Sequence, residues 1–370
     1  MSLKNDLKNI VINEEVSGPF ISLFLPLYPG KDDFKLDDTE FNSLLSKAKK
    51  LYITKFGEKG WEKYEKKILD IKNDIIFDYA QSKSLAVIIG KEVSYHYYLP
   101  RKVSLQVHVS ERPYILPIIS GYEFMPTYNI VKISRADFKM FTVKNGLVFN
   151  KHLDDDAPTS AAVALNIDTP RQKIRMEEQA GQRGGGSYDQ FRGTDVKSEA
   201  QQANMDRYFR IVDEYVIKHI SLRDHLNVIL MATEDDAGEF KKISHNQYLD
   251  KKQVITVPSI INHESLEKVT APITQNYVDS CYQNVKAAID TAHSKKRYLE
   301  GMETVQQAAI EGRLDNLIVA RELVENETET EEQTQANEIA IYTLVYGGQV
   351  TVIDPEVINN KQIIGILRGI

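Results

Sequence analysis

The chain of 370 residues has a single cysteine, Cys281, which excludes an internal disulfide. That thiol falls on the apolar face of a helical pattern and reads as a small buried hydrophobe. Long apolar runs are also missing. Nothing approaches the about 18 apolar residues of a membrane span, and the N-terminal MSLKNDLKNIVINEE holds no apolar signal core. These absences predict a cytoplasmic protein with no membrane partner. Positive charge is not in excess, since the formal net charge is −7. Nonspecific coating of nucleic acid draws its affinity from neutralised phosphates, so that class is excluded, while docking at one RNA-lined site through local basic patches is not. No Gly-x-Ser-x-Gly elbow, phosphate-binding loop or dinucleotide fingerprint occurs, so no cofactor is expected. The histidines are scattered and none stands at metal-ligand spacing to another or to Cys281, so no metal site is expected either.

What is present is the composition of a soluble globular protein, 42% hydrophobic and 27% charged, in a chain too long for one ordinary core. The patterning divides it into an N-terminal α+β domain (1–125), a middle domain (126–264) and a C-terminal α/β sandwich (265–370). In the first, Phe20–Pro26 reads as a buried strand and helical spacing runs from about Asp38 to Tyr79. Strands are expected at Ser84–Ile89, Val93–Tyr98, Val103–Val109 and Ile115–Ile119.

In the middle domain Tyr128–Ser134, Phe138–Val143 and Gly146–Asn150 read as three strands, the last two joined by Asn145-Gly146, a hairpin signal. A helix over about Val196–Ile220 carries Met205, Tyr208, Phe209, Val212, Val216 and Ile220 on one stripe. A strand (Asn227–Ala232), a short helix capped by Thr233 and a strand (Gln253–Val257) follow. Meander, helix, strand, helix, strand is a ribonuclease-H-like layout. In the last domain Pro272 is expected to break any helix arriving from Leu266. A helix with Tyr277, Val278, Cys281, Val285 and Ile289 inward and a second helix over Tyr298–Glu311 should follow. The acidic stretch Glu322–Glu332 is expected to be a disordered loop.

Gln182-Arg-Gly-Gly-Gly-Ser-Tyr-Asp-Gln-Phe-Arg-Gly193 is the most informative stretch. Glycine loses more conformational freedom on folding than any other residue. Three in a row, inside a domain and before a long amphipathic helix, mean either a plain surface loop or a place where a partner's backbone comes close. Arg183 and Arg192 are candidate phosphate contacts and Ser187 a hydrogen-bonding group; Tyr188 and Phe191 are the aromatics placed to stack on a nucleotide. A literal Gly-Gly-Gln also occurs at Gly347–Gln349, between a helical pattern and a strand, where glycines serve as a helix cap. Lys295-Lys296-Arg297 is a second small basic patch, or a helix end answering its dipole.

Val131-Lys-Ile-Ser-Arg-Ala-Asp-Phe-Lys-Met-Phe, Arg183-Gly-Gly-Gly-Ser187, the helix ending Met205-Asp-Arg-Tyr-Phe-Arg-Ile-Val-Asp-Glu-Tyr, Glu311-Gly-Arg-Leu-Asp-Asn-Leu-Ile-Val-Ala and Tyr346-Gly-Gly-Gln-Val-Thr-Val-Ile carry a resemblance. Over roughly residues 126–370 the chain resembles the archaeo-eukaryotic class-one peptide-chain release factors and Pelota, and more closely the bacterial archaeo-eukaryotic release factor-like families. The resemblance implies a last domain similar to kink-turn-binding ribosomal proteins. It also implies partners in the ribosome and peptidyl-tRNA. The activity implied is peptidyl-tRNA hydrolysis or rescue of stalled ribosomes, through a loop that carries Gly-Gly-Gln in release factors. Here Gly184, Gly185 and Gly186 occupy that loop, with Gly186 where the pattern has glutamine, so Gln182 and Gln190 become the candidate side chains. Two alternatives stand beside this reading: a non-catalytic ribosome- or RNA-interaction protein on the same scaffold, and a metal-dependent nuclease. The nuclease needs carboxylates converging on metal ions, for which Asp137, Asp206, Asp213, Glu234, Asp235 and Asp236 are available.

Overall fold

A computed structural model describes residues 7, 18–27, 34–74, 82–165, 190–327 and 329–369. The chain divides into two compact units. Met1–Met125 and Asn276–Ile370 together form one, and Pro126–Gln275 the other.

The terminal unit begins with β1 (Phe20–Pro26), every residue of which is buried. Strand side chains alternate faces, so Phe20 and Phe24 enter one core while Ile21, Leu23 and Leu25 enter another. Helices α1 (Phe34–Phe56) and α2 (Trp61–Asp74) follow. They cover the second face with Phe41, Leu44, Ala48, Trp61 and Ile68. Strands β2 (Ser84–Ile89), β3 (Ser94–Leu99) and β4 (Gln106–Ser110) complete an antiparallel sheet of order β3-β2-β1-β4. The apolar run expected as a strand at Ile115–Ile119 is instead helix α3 (Leu116–Tyr122). A short apolar run does not distinguish strand from buried helix, and Pro117 in the first turn favours the helix.

The middle unit contains β5 (Tyr128–Ile133), β6 (Phe138–Lys144), β7 (Leu147–Asn150), helix α4 (Ala161–Ala164) and helix α5 (Gln190–Val216), which runs into a π-helical turn, Ile217–Ser221. Then come β8 (Val228–Met231), helix α6 (Glu234–Ile243) and β9 (Leu249–Ile255). The sheet order is β7-β6-β5-β8-β9, antiparallel through β5, β6 and β7 and parallel through β5, β8 and β9. Asn145 and Gly146 take φ of 52° and 80°, the paired positive angles of a tight hairpin turn. The stripe Met205, Tyr208, Phe209, Val212, Val216 and Ile220 is buried against Val131, Ile133, Phe138 and Phe240. Thr233 accepts a hydrogen bond from the Asp236 amide and caps α6.

Helix α7 (His263–Ser294) passes through Pro272 rather than stopping there. Pro272 is exposed, so water can satisfy the carbonyl left without its helical donor, and burial of Leu266, Val278 and Ala292 along the helix offsets the cost. Tyr277, expected inward, is 46% exposed. Cys281 is half-buried, and burial pushes its thiol up from the ordinary value.

The terminal unit continues with β10 (Tyr298–Glu300), helix α8 (Met302–Ile310), β11 (Leu314–Ala320), helix α9 (Arg321–Val324), helix α10 (Glu331–Val345), β12 (Gln349–Ile353) and β13 (Ile363–Leu367). The helix expected from Tyr298 thus begins only at Met302, after a short strand. The acidic stretch is not a plain loop. Arg321, Leu323 and Val324 are buried in α9, and Thr330 with Gln333 forms a reciprocal capping box on α10. Few apolar residues suffice there, because each end of the stretch is held by a short helix or a cap. The sheet order is β10-β13-β11-β12, with β11 and β12 parallel. Phe20, Phe24, Ala86 and Ile88 from the first sheet share one core with Leu317, Val319 and Val352 from this one and Ile339 of α10.

Gly347-Gly348 ends α10 as a Schellman motif. The Gly348 amide donates to Thr343 O (2.7 Å) and the Gly347 amide to Leu344 O (3.0 Å). Gly347 has φ +79°, and a Cβ on Gly348 would lie 2.7 Å from Thr343 Cγ2 and 2.8 Å from Leu314 O. Gly348→Ala should therefore cost roughly 1–3 kcal/mol and Gly347→Ala roughly 1 kcal/mol, read as shifts in urea midpoint. Equal or smaller loss at 348 would contradict the packing described.

His108 is buried, stacked on Tyr114 at 3.7 Å between centroids and 2.9 Å from Gln106 Oε1. Burial, aided by the nearby Lys55 charge, drives its pKa down to about 3. The unfolded chain binds that proton near pH about 6.5, so stability from this site is complete above about 6.5 and lost as pH falls toward 3. His108→Gln should flatten that part of a stability–pH curve measured by chemical denaturation.

Candidate functional site

The glycine-rich segment connects α4 to α5. Gln182, Arg183, Gly184, Gly185, Gly186, Ser187 and Tyr188 lie outside the described residues. Gln190, Phe191 and Arg192 belong to the first turn of α5. Both stems of the segment are well defined. On the departing side, the Phe138 amide donates to Thr159 O (3.0 Å) and the Ala161 amide to Ala136 O (3.2 Å). Asp137 and Ser160 form an isolated antiparallel bridge, and the Ser160 hydroxyl caps α4 by accepting from the Val163 amide. Ala161, Ala164 and Leu165 pack on the α5 core. Thus the chain leaves from the turn between β5 and β6.

On the returning side, α5 is 27 residues long, about 40 Å at 1.5 Å per residue. Among its described side chains Met205 packs against the sheet, whereas Gln202, Ala203 and Asn204 are exposed. Tyr208 ties the two stems, its hydroxyl donating to Pro158 O (3.3 Å).

A polar cluster sits at this end of the sheet. Lys132, only 8% exposed, pairs with Asp137, and Ser134 donates to the same carboxylate oxygen. Burial alone would raise the Asp137 carboxyl, but the hydrogen bonds from Lys132 and Ser134 and the charges of Lys132 and Lys139 hold it below the usual range. Burial and then the Asp137 charge push the Tyr208 hydroxyl up. Arg135 reaches across to Asp236 at 3.2 Å. These groups satisfy one another, so their work is to hold the hairpin beside the stems. The Ser134-x-x-Asp137 spacing is the signal by which the sequence could have shown this cluster.

Four of the six carboxylates considered for metal binding, Asp137, Asp206, Asp213 and Asp236, have other partners. Asp213 accepts from Ser244 Oγ (2.5 Å) and the His245 amide (2.8 Å), Asp206 from Gln202 (3.0 Å), and Asp236 serves Arg135. Among the described residues no group of three or more His, Cys, Asp or Glu side chains is placed to hold a metal ion. Asp154, from the acidic run beside His152, pairs with His219 at 3.4 Å.

Sequence reasoning also missed a buried network in the terminal unit. The Arg321 guanidinium donates to Asp354 (2.6 Å) and Ser120 Oγ (2.6 Å), and the Tyr282 hydroxyl donates to Asp354. Burial first, then the Arg321 charge, depresses Arg101 beside it. A cavity of about 650 Å³ lined by Ser104, Arg321, Glu325 and Asp354 opens there. The partners are too far apart in sequence for spacing to reveal them. No helix among the described residues is long and apolar enough to cross a membrane.

Residues 126–276 match the family model of bacterial archaeo-eukaryotic release factor family 6. No curated protein sequence matches the chain. Among solved structures it is similar to the archaeal translation termination factor aRF1, at 15% identity over 99% of this chain and 98% of that one, with a TM-score of 0.24. It is similar to Thermoplasma acidophilum Pelota at 12% identity, over 77% and 80% of the two chains and with a TM-score of 0.25. The S. cerevisiae protein Dom34, a translation termination-like factor, gives 11% identity, 77% and 72% coverage and a TM-score of 0.37. The family match coincides with the middle unit, strand β5 through the start of α7, and brackets the glycine-rich segment between its two stems. Over residues 126–276, then, this chain is similar to the bacterial archaeo-eukaryotic release factor family 6.

Proposed function

We propose that this chain acts at the ribosome as a release-factor-like protein, presenting residues 182–193 to the peptidyl-transferase centre. The observation that carries this reading is the family match over the unit whose two stems frame that segment. The sheet order β7-β6-β5-β8-β9 supports a ribonuclease-H-like middle domain, and the helix-covered β10–β13 sheet supports a sandwich similar to kink-turn-binding ribosomal proteins. The division 1–125, 126–264 and 265–370 remains part of the proposal, as does a cytoplasmic location.

In this reading Gly184, Gly185 and Gly186 let the backbone approach RNA closely, Arg183 and Arg192 contact phosphates, Ser187 hydrogen-bonds, and Tyr188 and Phe191 stack. Hydrolysis adds water to the peptidyl ester carbonyl, breaks the bond to the tRNA 3′ oxygen and returns a proton to that oxygen. A main-chain N–H at 186 or 187 would stabilise the charge developing on the carbonyl oxygen, with Gln182 or Gln190 orienting water. Gly186, standing where release factors have glutamine, favours a second reading in which the protein binds the ribosome without releasing peptide.

Sedimentation with empty and stalled ribosomes should show binding that Gly184→Ala/Gly185→Ala abolishes, with the urea midpoint unchanged. Loss of stability equal to the loss of binding would make those glycines structural. On ribosomes carrying peptidyl-tRNA, release above background should fall about a hundredfold in that double variant and should respond to Gln182→Ala or Gln190→Ala. Binding with no release supports the adaptor. RNA cleavage that requires a divalent cation would support the nuclease instead.

A further inference from the structure

One rim of the β10–β13 sheet gathers the basic patch and the Gly-Gly-Gln run that the proposed function leaves unused. Strands β10, β11 and β12 begin there and β13 ends there, since β13 is antiparallel to β10 and β11, and β12 parallel to β11. The loops at these ends are tied together. The Leu367 amide donates to Arg297 O (2.8 Å) and the Arg368 amide to Arg313 O (2.9 Å). The Arg368 guanidinium donates to Leu314 O (3.1 Å) and Tyr346 O (2.5 Å). Lys295, Lys296, Arg297, Arg313 and Arg368 therefore share one rim, and all but the half-buried Arg297 are exposed. Their nearby counter-charges in sequence are Glu311, which pairs with Arg313 at 2.8 Å, and Asp315. A cationic rim on a chain of net charge −7 is a local departure from the whole.

Two further features point to the ligand. The Tyr346 side chain is half exposed, and its carbonyl is held by Arg368. Gly312 and Gly347, at φ +68° and +79°, leave the backbone on either side of it bare, and a Cβ on Gly312 would press on the Tyr346 ring at 3.1 Å. Cations on loops held in register, beside one exposed ring and bare backbone, suit a phosphodiester chain with a base to stack. We propose that this rim binds the backbone of RNA, with Lys295, Lys296 and Arg313 on phosphates and Tyr346 stacked on a base. The surface lies in the terminal unit, and the inference does not depend on the glycine-rich segment.

The test is fluorescence anisotropy of the full chain with a labelled oligouridylate, from about 50 to about 200 mM salt. Lys295→Glu/Lys296→Glu/Arg313→Glu should weaken binding at least about tenfold at low salt and reduce the slope of log affinity against log salt by about 2, at about 0.7 per phosphate lost. Tyr346→Ala should weaken it about tenfold with the slope unchanged, as loss of one stacked base would. Gly184→Ala/Gly185→Ala should leave both effects in place, so failure here and failure of the ribosome reading are separable. Arg297 and Arg368 are left alone because their loops are tied to neighbouring strands. If the triple variant unfolds, Tyr346→Ala and Lys295→Gln/Lys296→Gln carry the test. The proposal is overturned if the wild type does not bind, if the charge variants bind as the wild type does, or if polyglutamate competes as well as RNA, which would mark a site for an acidic protein.

Discussion

One apolar core has to be closed from two stretches of chain that the whole middle unit separates in sequence. Phe20, Phe24, Ala86 and Ile88 bury against Leu317, Val319, Ile339 and Val352, so neither the first sheet nor the last covers that face alone. Buried polar ties fix the register of the two stretches. Asn337 accepts from the Ile115 amide (2.8 Å) and donates to Pro113 O (2.9 Å), Gln106 donates to Val324 O (3.3 Å), and Arg321 holds Ser120. A buried donor or acceptor left without its partner costs roughly 1–3 kcal/mol, so slippage of one stretch past the other is penalised at several points at once. The buried, neutral His108 belongs to the same arrangement, because Gln106, with its amide nitrogen committed to Val324, turns its oxygen toward the imidazole.

The middle unit follows a different logic. Strand β5 is buried on both faces, Val131 and Ile133 against α5 and Tyr128 and Ile130 against the other side. A rigid sheet with a long packed helix provides two fixed stems, and the Lys132–Asp137–Ser134 cluster locks the hairpin from which one stem departs. A cavity of about 1070 Å³ in the terminal unit is lined by Lys47, Lys55, Val109, Glu329 and Glu338.

Charge is distributed in the same divided way. The chain is acidic as a whole, yet Lys295, Lys296, Arg297, Arg313 and Arg368 share one sheet rim of the terminal unit, where Arg368 binds two neighbouring backbone carbonyls. Gly347 and Gly348 contribute to that rim as a helix cap. This is also why the literal Gly-Gly-Gln at 347–349 is structural: a Cβ on Gly348 would meet Leu314 O of β11 at 2.8 Å and Thr343 O of α10 at 3.0 Å, which leaves no room for a side chain.

Periodicity alone settled the parts of this protein that bury one face or two. Strand β1, the β5–β6–β7 meander, the α5 stripe and the Thr233 cap were all legible, because local spacing and turn chemistry dictate them. The family resemblance was legible too, through the residues around the glycine-rich segment. Tertiary structure decided what local pattern leaves degenerate. It made Ile115–Ile119 part of a helix, carried α7 through an exposed Pro272, and ordered much of the acidic stretch through Arg321, Val324 and the Thr330 capping box. It also brought Arg297, Arg313, Tyr346 and Arg368 to one rim and Ser120, Tyr282, Arg321 and Asp354 to one buried network. Contacts between residues so distant in sequence depend on which core closes over which, and no periodicity within a single segment encodes that.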